Sequence, residues 1–270
     1  MNQIYEKLIE GHCRFGTSRE QIASQLKVDA SLIKKNVVIA PTMTFDCFKE
    51  YNPVVTELYS KYHRIANLKI NDIEFTFITS GMGAPVFTDI ILALGFTPCE
   101  NIIFIGSVGA LNENINIGDI IIPNCCITGD GASRYLTLKP LKETDTFGEE
   151  TYPDTELYNL CCDVSKKICE ENNVGWHTLK NFAIDTIFAQ FAHIDEIIEM
   201  GCDTIDMETS SLFRCAEIAE LKASVVFCVS DSTVKNKSLY SGRSKEDKAA
   251  KDFGRNKITP EIVIEILKKL

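Results

Sequence analysis

The chain has 270 residues, of which 45% are apolar and 24% are charged, a composition typical of ordinary globular proteins. It excludes disordered, collagen-like and coiled-coil proteins. The net charge of −10 repels nucleic acids and anionic membrane surfaces, so we expect neither as a partner. No apolar stretch is long enough to span a membrane, and the N-terminus lacks the pattern of a secretory signal, so we predict a cytoplasmic protein.

The cysteines and histidines indicate neither a disulfide framework nor a metal site. The 11 cysteines are odd in number, include adjacent pairs and form no C-x-x-C motif, so we predict reduced thiols. None of the four histidines stands in an H-x-x-x-H arrangement. We therefore expect no bound metal.

The first 35 residues are predicted to form a short helical extension. Ser18 and Gln21 make a capping box, and apolar residues follow at helical spacing. Residues 17–35 also resemble a helix-turn-helix, but such a pattern more often belongs to a helical extension packed on its own domain or on a neighbouring subunit. We therefore predict an N-terminal extension, 1–35, and one larger domain, 36–270.

From residue 36 onward, short β-branched segments alternate with helical patterns. The predicted strands are 36–40, 73–79, 101–106, 119–123, 179–184, 203–207 and 224–230. The predicted helices are 85–96, 154–172, 191–201, 208–220 and a terminal helix that begins at Thr259. Strands such as NIIFIG are apolar on both faces, which is typical of strands covered by helices on both sides. The sequence therefore predicts an α/β fold, a three-layer sandwich with a central mixed β-sheet.

Two glycine-rich segments follow predicted strands, at the sheet edge where α/β proteins bind ligands. They are GMGAP, which contains Gly83, and GSVG, which contains Gly106 and Ser107. Glycines allow backbone N–H groups to approach an anion, and the serine adds a hydroxyl donor. Neither segment is a dinucleotide or Walker loop, and either one alone could be a simple tight connection.

Two acidic segments follow other predicted strands. Asp206 and Glu208 flank Met207, and two carboxylates at a strand end suit a ligand with vicinal hydroxyl groups, although Glu208 alone could simply stabilise a helix start. Asp231 follows the last predicted strand, where it either caps a turn or, held partly dry, acts as a general acid. Arg243 either orients Asp231 or is a solvated loop cation.

Taken in order, GMGAP, IGSVGAL, DMETSSLF and VSDS resemble motifs of the nucleoside phosphorylase and nucleosidase superfamily, over roughly residue 36 to the C-terminus. The resemblance implies a nucleoside phosphorylase-like fold and a pentosyltransferase that moves the ribose of a purine nucleoside to phosphate, a reaction of purine salvage. It implies inorganic phosphate as co-substrate and no other cofactor. It also implies a homo-oligomer, either a dimer or a hexamer built from dimers.

The same resemblance implies roles for the acidic segments. Glu208 would bind the ribose 2′ and 3′ hydroxyls with Asp206 beside it, and Met207 would pack under the sugar. Asp231 would protonate the leaving purine at N7, with Arg243 positioning it. Glycosidic cleavage develops positive charge on the sugar and negative charge on the base, so acids at both places favour the transition state.

The remaining site residues are also implied by the resemblance. The residues expected against the base are Ile187 or Phe188, together with Ser230. The residues expected at the phosphate or nucleophile site are Gly83, Gly106 and Ser107.

Two arginines that hold phosphate in the phosphorylases are replaced in this sequence. Phe45 and Phe104 align with them, which removes two forked donors whose charge-assisted bonds are worth about 1.5–3 kcal/mol each. Lys61 or Arg64, near where a third arginine reaches across from a neighbouring subunit, would compensate. Alternatively, water is the nucleophile, as in the nucleosidases, and Asp46 lies near the position of their catalytic glutamate.

Three classes of function follow. Phosphorolysis leads, because GMGAP is more similar to the phosphorylases than to the nucleosidase pattern G-I-G-K-V. A hydrolytic nucleosidase is the alternative within the same fold. A non-catalytic nucleoside-binding or storage protein is the alternative of another class, motivated by the two replaced arginines, and a regulator using the N-terminal helices is more distant. A purine is favoured because the Gln/Arg pair with which uridine phosphorylases read a pyrimidine is not evident in DTIFAQFAH.

Overall fold

The computed structural model describes residues 1–58, 60 and 62–270. The strands of this part are β1 Asn36–Ala40, β2 Val54–Leu58, β3 Arg64–Ile70, β4 Ile73–Thr79, β5 Asn101–Ala110, β6 Ile120–Gly129, β7 Glu150–Thr151, β8 Trp176–Ile184, β9 Thr204–Asp206 and β10 Lys222–Ser232. Its α-helices are α1 Gln3–Arg14, α2 Arg19–Ile22, α3 Ala84–Leu94, α4 Thr155–Asn172, α5 Ile187–Gln190, α6 Ile194–Glu199, α7 Thr209–Ile218, α8 Lys245–Phe253 and α9 Thr259–Leu267. A π-helical turn, Gly254–Ile258, joins the last two helices.

The strands form one mixed sheet in the order β10-β6-β8-β9-β5-β1-β4-β3-β2, with β7 beside β6. β10 also pairs with β5, so five of the strands close into a ring. β1, β5 and β10 are parallel neighbours, and their carboxyl ends therefore meet at one edge. β9 pairs with β5 on the side away from β10. The ends of these four strands carry most of the residues that the sequence singles out.

Helices cover both faces of the sheet. On one face, α3 and α7 pack over side chains that include Phe104 and Phe227. On the other face, α4 and α9 pack over side chains that include Ile103 and Ile105. Successive residues of β5 thus point into opposite cores, as the period of two requires. The predicted three-layer α/β sandwich with a central mixed sheet is confirmed.

The N-terminal segment packs on α3. The predicted capping box is present, because Ser18 N donates to Gln21 Oε1 at 2.9 Å and Gln21 N donates to Ser18 Oγ at 3.3 Å. The Tyr5 hydroxyl donates to a main-chain carbonyl of α3 at 2.6 Å. The short α2 is followed by the 3-10 turns Ala23–Leu26 and Ala30–Leu32, so this segment does not form a helix-turn-helix. Its separation from 36–270 as a unit stays a prediction.

Some observed elements match their predicted ranges, and others were missed or are longer than predicted. β1 and β4 match their predicted ranges. β5 is longer than predicted, because residues 106–109 continue its pairing with β10, so the GSVG segment is strand and not loop. The hairpin of β2 and β3 was not predicted, and β2 exposes most of its side chains. Helix α8 was not predicted either, and none of its residues is buried, so it shows no apolar stripe.

Within the described residues, none of the helices is both long enough and apolar enough to cross a membrane. The same part of the chain contains no group of three His, Cys, Asp or Glu side chains that could hold a metal ion. The cysteines are free thiols, and most of them are buried.

Candidate functional site

A cavity of about 260 Å³ lies beside the ends of β1, β5, β9 and β10. Several of the residues singled out in the sequence line it, namely Gly106, Ser107, Ile187, Asp206, Met207, Glu208, Ser230, Asp231 and Arg243. The lining is completed by residues that the sequence did not single out, namely Pro41, Thr42, Met82, Gly109, Gln190, Ile205, Leu239, Lys251 and Arg255. Glu208 and Asp231 therefore face one shared space.

Glu208 stands between β9 and α7 and is almost completely buried. Its Oε1 accepts a hydrogen bond from Gly83 N at 2.7 Å. Gly83 has φ +104°, a conformation that favours glycine, and this turn at the start of α3 brings its N–H group to the carboxyl. Gly83 does not line the cavity, so its observed contact is with Glu208 and not with the predicted nucleophile site.

Burial, together with the nearby carboxylate of Asp206, raises the pKa of Glu208 to about 8. This raised pKa favours the protonated form of Glu208 near neutral pH. Hydroxyl groups that donate to this side chain favour its charged form. Binding of a ligand with vicinal hydroxyls would therefore be coupled to loss of the proton from Glu208.

The Asp206 side chain binds the backbone at the start of α7. Its Oδ2 accepts from Glu208 N at 3.0 Å, from Thr209 N at 2.9 Å and from Thr209 Oγ1 at 2.7 Å. Its Oδ1 accepts from Asn181 Nδ2 at 2.7 Å. These four bonds use most of the acceptor capacity of a carboxylate. The predicted ribose contact of Asp206 is therefore better described as support for Glu208, because Asp206 fixes the turn that carries it.

Asp231 lies near the end of β10 and is 2% exposed. Ser230 Oγ donates to its Oδ1 at 2.6 Å, while Oδ2 has no hydrogen-bond partner among the described residues. Burial raises the pKa of the Asp231 carboxyl, and the bond from Ser230 and the charge of Arg243 oppose this rise. A carboxyl group in this state, with one oxygen uncommitted beside a cavity, can donate a proton to a ligand.

Arg243 contacts the main chain around Asp231. Its Nη1 donates to Ser230 O at 3.2 Å, and its Nη2 donates to Leu239 O at 2.8 Å. In residues 1–58, 60 and 62–270 it forms no ion pair with a carboxylate. Arg243 therefore ties the loop before α8 to β10 and acts on Asp231 through its charge and through the position of Ser230.

Helix α5 contributes one wall of the cavity. Ile187, its first residue, lines the cavity as the resemblance implied, and so does the buried Gln190. Phe188 is 91% exposed and does not line the cavity. Adjacent residues of a helix point about 100° apart, so one turn cannot aim both Ile187 and Phe188 inward. Phe188 therefore does not face this chain's own cavity, and its expected contact with a base stays a prediction.

Comparison with known proteins identifies the family. The family model described as the phosphorylase superfamily matches residues 48–256, which include all four glycine-rich and acidic segments. The chain belongs to the phosphorylase superfamily. The resemblance noted in the sequence motifs is thereby confirmed.

Individual relatives within the phosphorylase superfamily are distant. Purine nucleoside phosphorylase DeoD-type 2 of Vibrio vulnificus (strain YJ016) is 26% identical over 143 residues, which are 53% of this chain and 56% of that protein. The chain thus spans little more than half the length of the curated relatives it matches. A uridine phosphorylase from Vibrio fischeri ES114 has a similar structure, with a TM-score of 0.71, 18% identity, and coverage of 90% of this chain and 95% of that one.

A futalosine hydrolase mutant of Helicobacter pylori strain 26695 is also similar in structure, with a TM-score of 0.63 and 13% identity. That match covers 88% of this chain and 100% of the hydrolase. At such low identities the structural likeness shows the fold alone. The reaction has to be argued from the site.

The two phenylalanines that the sequence resemblance aligns with the phosphorylase arginines both lie in the apolar core. Phe104 is fully buried, and its ring centroid lies 4.8 Å from that of Phe87 and 5.0 Å from that of Phe227. Phe45 packs in the core on the other face of the sheet. Neither ring lines the cavity.

Arg64 and Asp46 lie together outside the cavity. The guanidinium carbon of Arg64 stands 4.1 Å from the ring centroid of Phe45. Its Nη1 is 3.6 Å from Asp46 Oδ2, and its Nη2 is 3.4 Å from Glu57 Oε1. Within this one chain, Arg64 therefore does not reach the expected phosphate site, and Asp46 is not placed to activate a water in the cavity. Lys61, the other candidate cation, lies outside the described residues.

Lys251 and Arg255 are the charged lining residues that sequence reasoning missed. They lie on α8 and on the π-helical turn Gly254–Ile258. A signal for this helix was available, because Ser244 and Asp247 form a capping box. Once α8 is located, the two cations fall four residues apart, on the same side of the segment.

Proposed function

We propose that this protein cleaves the N-glycosidic bond of a purine ribonucleoside with phosphate as the nucleophile, giving free base and ribose 1-phosphate. The observation that carries the proposal is that Glu208 and Asp231 line one cavity together with Ser107. These residues stand on or beside three neighbouring strands, since β5 pairs with β9 on one side and with β10 on the other. Membership of the phosphorylase superfamily supports the reaction class, and the Vibrio vulnificus relative supports a purine.

In the proposed complex the ribose lies at Glu208 and the base at Asp231. The 2′ and 3′ hydroxyls donate to the Glu208 carboxylate, which Gly83 N holds in place from the other side. Met207 packs under the sugar, and Gln190 offers a buried amide to the polar edge of the base.

The reaction in this arrangement is a displacement at C1′. A phosphate oxygen forms a bond to C1′ while the bond from C1′ to the base nitrogen breaks, and the bonding electron pair leaves with the base. Asp231 gives its proton to N7 of the leaving purine, and its carboxylate regains a proton from solvent. Positive charge that develops on the sugar is stabilised by the Glu208 carboxylate and by the phosphate.

Hydrolysis by water is the second candidate. The replacement of both family arginines favours it, and the fold shared with a futalosine hydrolase is compatible with it. Against it, the carboxylates that line the cavity within the described residues are Asp206, Glu208 and Asp231 alone, and each already has a contact or a role. No further acid is placed there to activate a water, since Asp46 lies outside the cavity.

We also propose a homo-oligomer that acts in the cytoplasm, with phosphate as co-substrate, no other cofactor, and no nucleic-acid or membrane partner. Phe188 is exposed, so its side chain can contact a neighbouring subunit, whereas Arg64 would have to leave Asp46 and Glu57 to do so. Analytical ultracentrifugation tests the assembly. A dimer or hexamer is expected, and a fully active monomer would contradict this part of the proposal.

The reaction is tested by incubating the pure protein with inosine, adenosine, uridine and methylthioadenosine, with and without phosphate, while free base is followed by chromatography. We expect base release from a purine nucleoside only when phosphate is present. Release without phosphate would support hydrolysis, and nucleoside binding without release would support a storage protein. A parallel preparation of Glu208→Ala controls for phosphorylase from the expression host.

A further inference from the structure

Two cations that the sequence analysis did not single out line the cavity. Lys251 and Arg255 border the same space as Thr42 and Ser107. Binding of a phosphate dianion requires positive charge and several hydrogen-bond donors in one place. An ammonium group, a guanidinium group and two hydroxyl groups are such a set.

Ser107 faces the helical layer that carries both cations. On β5, Ile103 and Ile105 belong to the core under α4 and α9, and the alternation of the strand puts Ser107 on that same face. Ser107 is also paired in register with Cys228 of β10. The Cys228 thiol donates to the main-chain oxygen of Lys251 at 3.6 Å. The end of α8 therefore lies over the face on which Ser107 stands.

Close packing at one glycine holds this segment in place. A Cβ atom at Gly254 would lie 2.5 Å from Gly118 O and 2.8 Å from Cys228 Sγ, so a larger residue would push the segment away from the sheet. Thr259 Oγ1 donates to Gly254 O at 3.0 Å, which fixes the π-helical turn from the other end. The backbone that carries Lys251 and Arg255 therefore packs directly against the strands.

The positive charge of this pair is only partly neutralised. Arg255 Nη2 donates to Thr42 Oγ1 at 3.4 Å and forms no ion pair with any carboxylate in the described part of the chain. Lys251 Nζ lies 3.1 Å from Asp252 Oδ1, but the Asp252 side chain is 60% exposed, so water weakens this pair. Burial raises the pKa of Cys228 to about 12, and Arg255 and Lys251 oppose this rise, so their field reaches the strand below.

We propose that Lys251 and Arg255 bind the phosphate co-substrate, in place of the two arginines that this chain lacks. The inference rests on the proposed phosphorolysis, whose nucleophile it locates. Arg255 offers a forked pair of donors to two phosphate oxygens, and Lys251 adds a compact charge. Ser107 and Thr42 complete the site with hydroxyl donors. The C-terminal helical segment thus binds the anion, while Phe45 and Phe104 pack in the core.

The test is direct binding of radiolabelled inorganic phosphate by equilibrium dialysis, without nucleoside and with inosine. The variants are Arg255→Met, Lys251→Met and the conservative Arg255→Lys. Lys248→Met is the matched control, because Lys248 is an exposed residue of α8 that does not line the cavity. We expect Arg255→Met to weaken phosphate binding by about 10- to 100-fold, the effect of losing a charge-assisted hydrogen bond. Arg255→Lys should bind with intermediate affinity, and the control should bind like the wild type.

The binding assay separates this inference from the proposed reaction. Unchanged phosphate affinity in the Arg255→Met, Lys251→Met double variant would overturn the inference, while phosphate-dependent base release by that variant would leave the reaction standing. A wild-type protein that binds no phosphate under either condition would also overturn it. Arg255-dependent phosphate binding, combined with base release that needs no phosphate, would support the site and refute phosphorolysis.

Discussion

Replacing Asp231 with asparagine removes a proton donor while keeping the shape of the side chain. The carboxyl is 2% exposed and accepts from Ser230 Oγ at 2.6 Å, and an amide oxygen can accept the same bond. We therefore expect Asp231→Asn to fold with the cavity intact. What it loses is a carboxyl whose pKa burial raises, and which for that reason keeps its proton closer to neutral pH.

The size of the effect follows from the role proposed for this proton. General acid catalysis contributes about 10²- to 10⁴-fold in rate, which corresponds to about 3–5 kcal/mol of transition-state stabilisation. We expect Asp231→Asn to lower kcat on inosine by that factor. The KM for inosine should change little, because the proposed ribose contact with Glu208 remains.

The informative assay compares inosine with 7-methylinosine, whose base already carries a positive charge and needs no proton at N7. We expect a large defect of Asp231→Asn on inosine and a small one on 7-methylinosine. Asp195→Asn, a change at an exposed acid of α6, serves as the control. Equal defects on both substrates would refute the general-acid role, and unchanged turnover of inosine would remove Asp231 from the reaction.

Two further changes test the burial of Glu208 and of Phe104. Because folding raises the pKa of Glu208 from 4.5 to about 8, its protonated form favours the folded state, and this contribution is complete below pH 4.5 and is lost as the pH rises through 8. The free energy of unfolding of the wild type, relative to Glu208→Gln, should fall by up to about 1.4 kcal/mol per pH unit across this range, and a difference independent of pH would contradict the raised pKa. Phe104→Ala should lower the free energy of unfolding by about 3–5 kcal/mol in chemical denaturation, since the ring is fully buried between two others, and a loss near zero would contradict that placement.

The buried strands could be located from the sequence because burial on both faces requires a run of apolar residues. β1 and β4 are short apolar runs, since helices cover them on both faces. The exposed strand β2 and the helix α8 lack such a pattern, because neither buries an apolar face. The hydrophobic periodicity of a segment indicates which of its faces is buried. The positions of β2 and α8 are instead set by contacts with neighbouring segments, which the local sequence does not show.

The candidate site divides in the same way. Glu208 and Asp231 could be singled out because each stands at the end of a predicted strand and within a short motif. Which of Ile187 and Phe188 faces the cavity depends on the rotation of a single helical turn, and no local pattern records that. Arg255 reaches the cavity only through the tertiary contact at Gly254, which brings together segments far apart in the chain.

The central claim is that one cavity binds a nucleoside with its sugar at Glu208 and its base at Asp231. A crystal structure of the protein with inosine and sulfate tests it most directly. We predict that the ribose hydroxyls lie within about 3 Å of the Glu208 carboxyl and that N7 lies at a similar distance from Asp231. Inosine bound elsewhere, or bound in this cavity with its ribose away from Glu208, would contradict the claim.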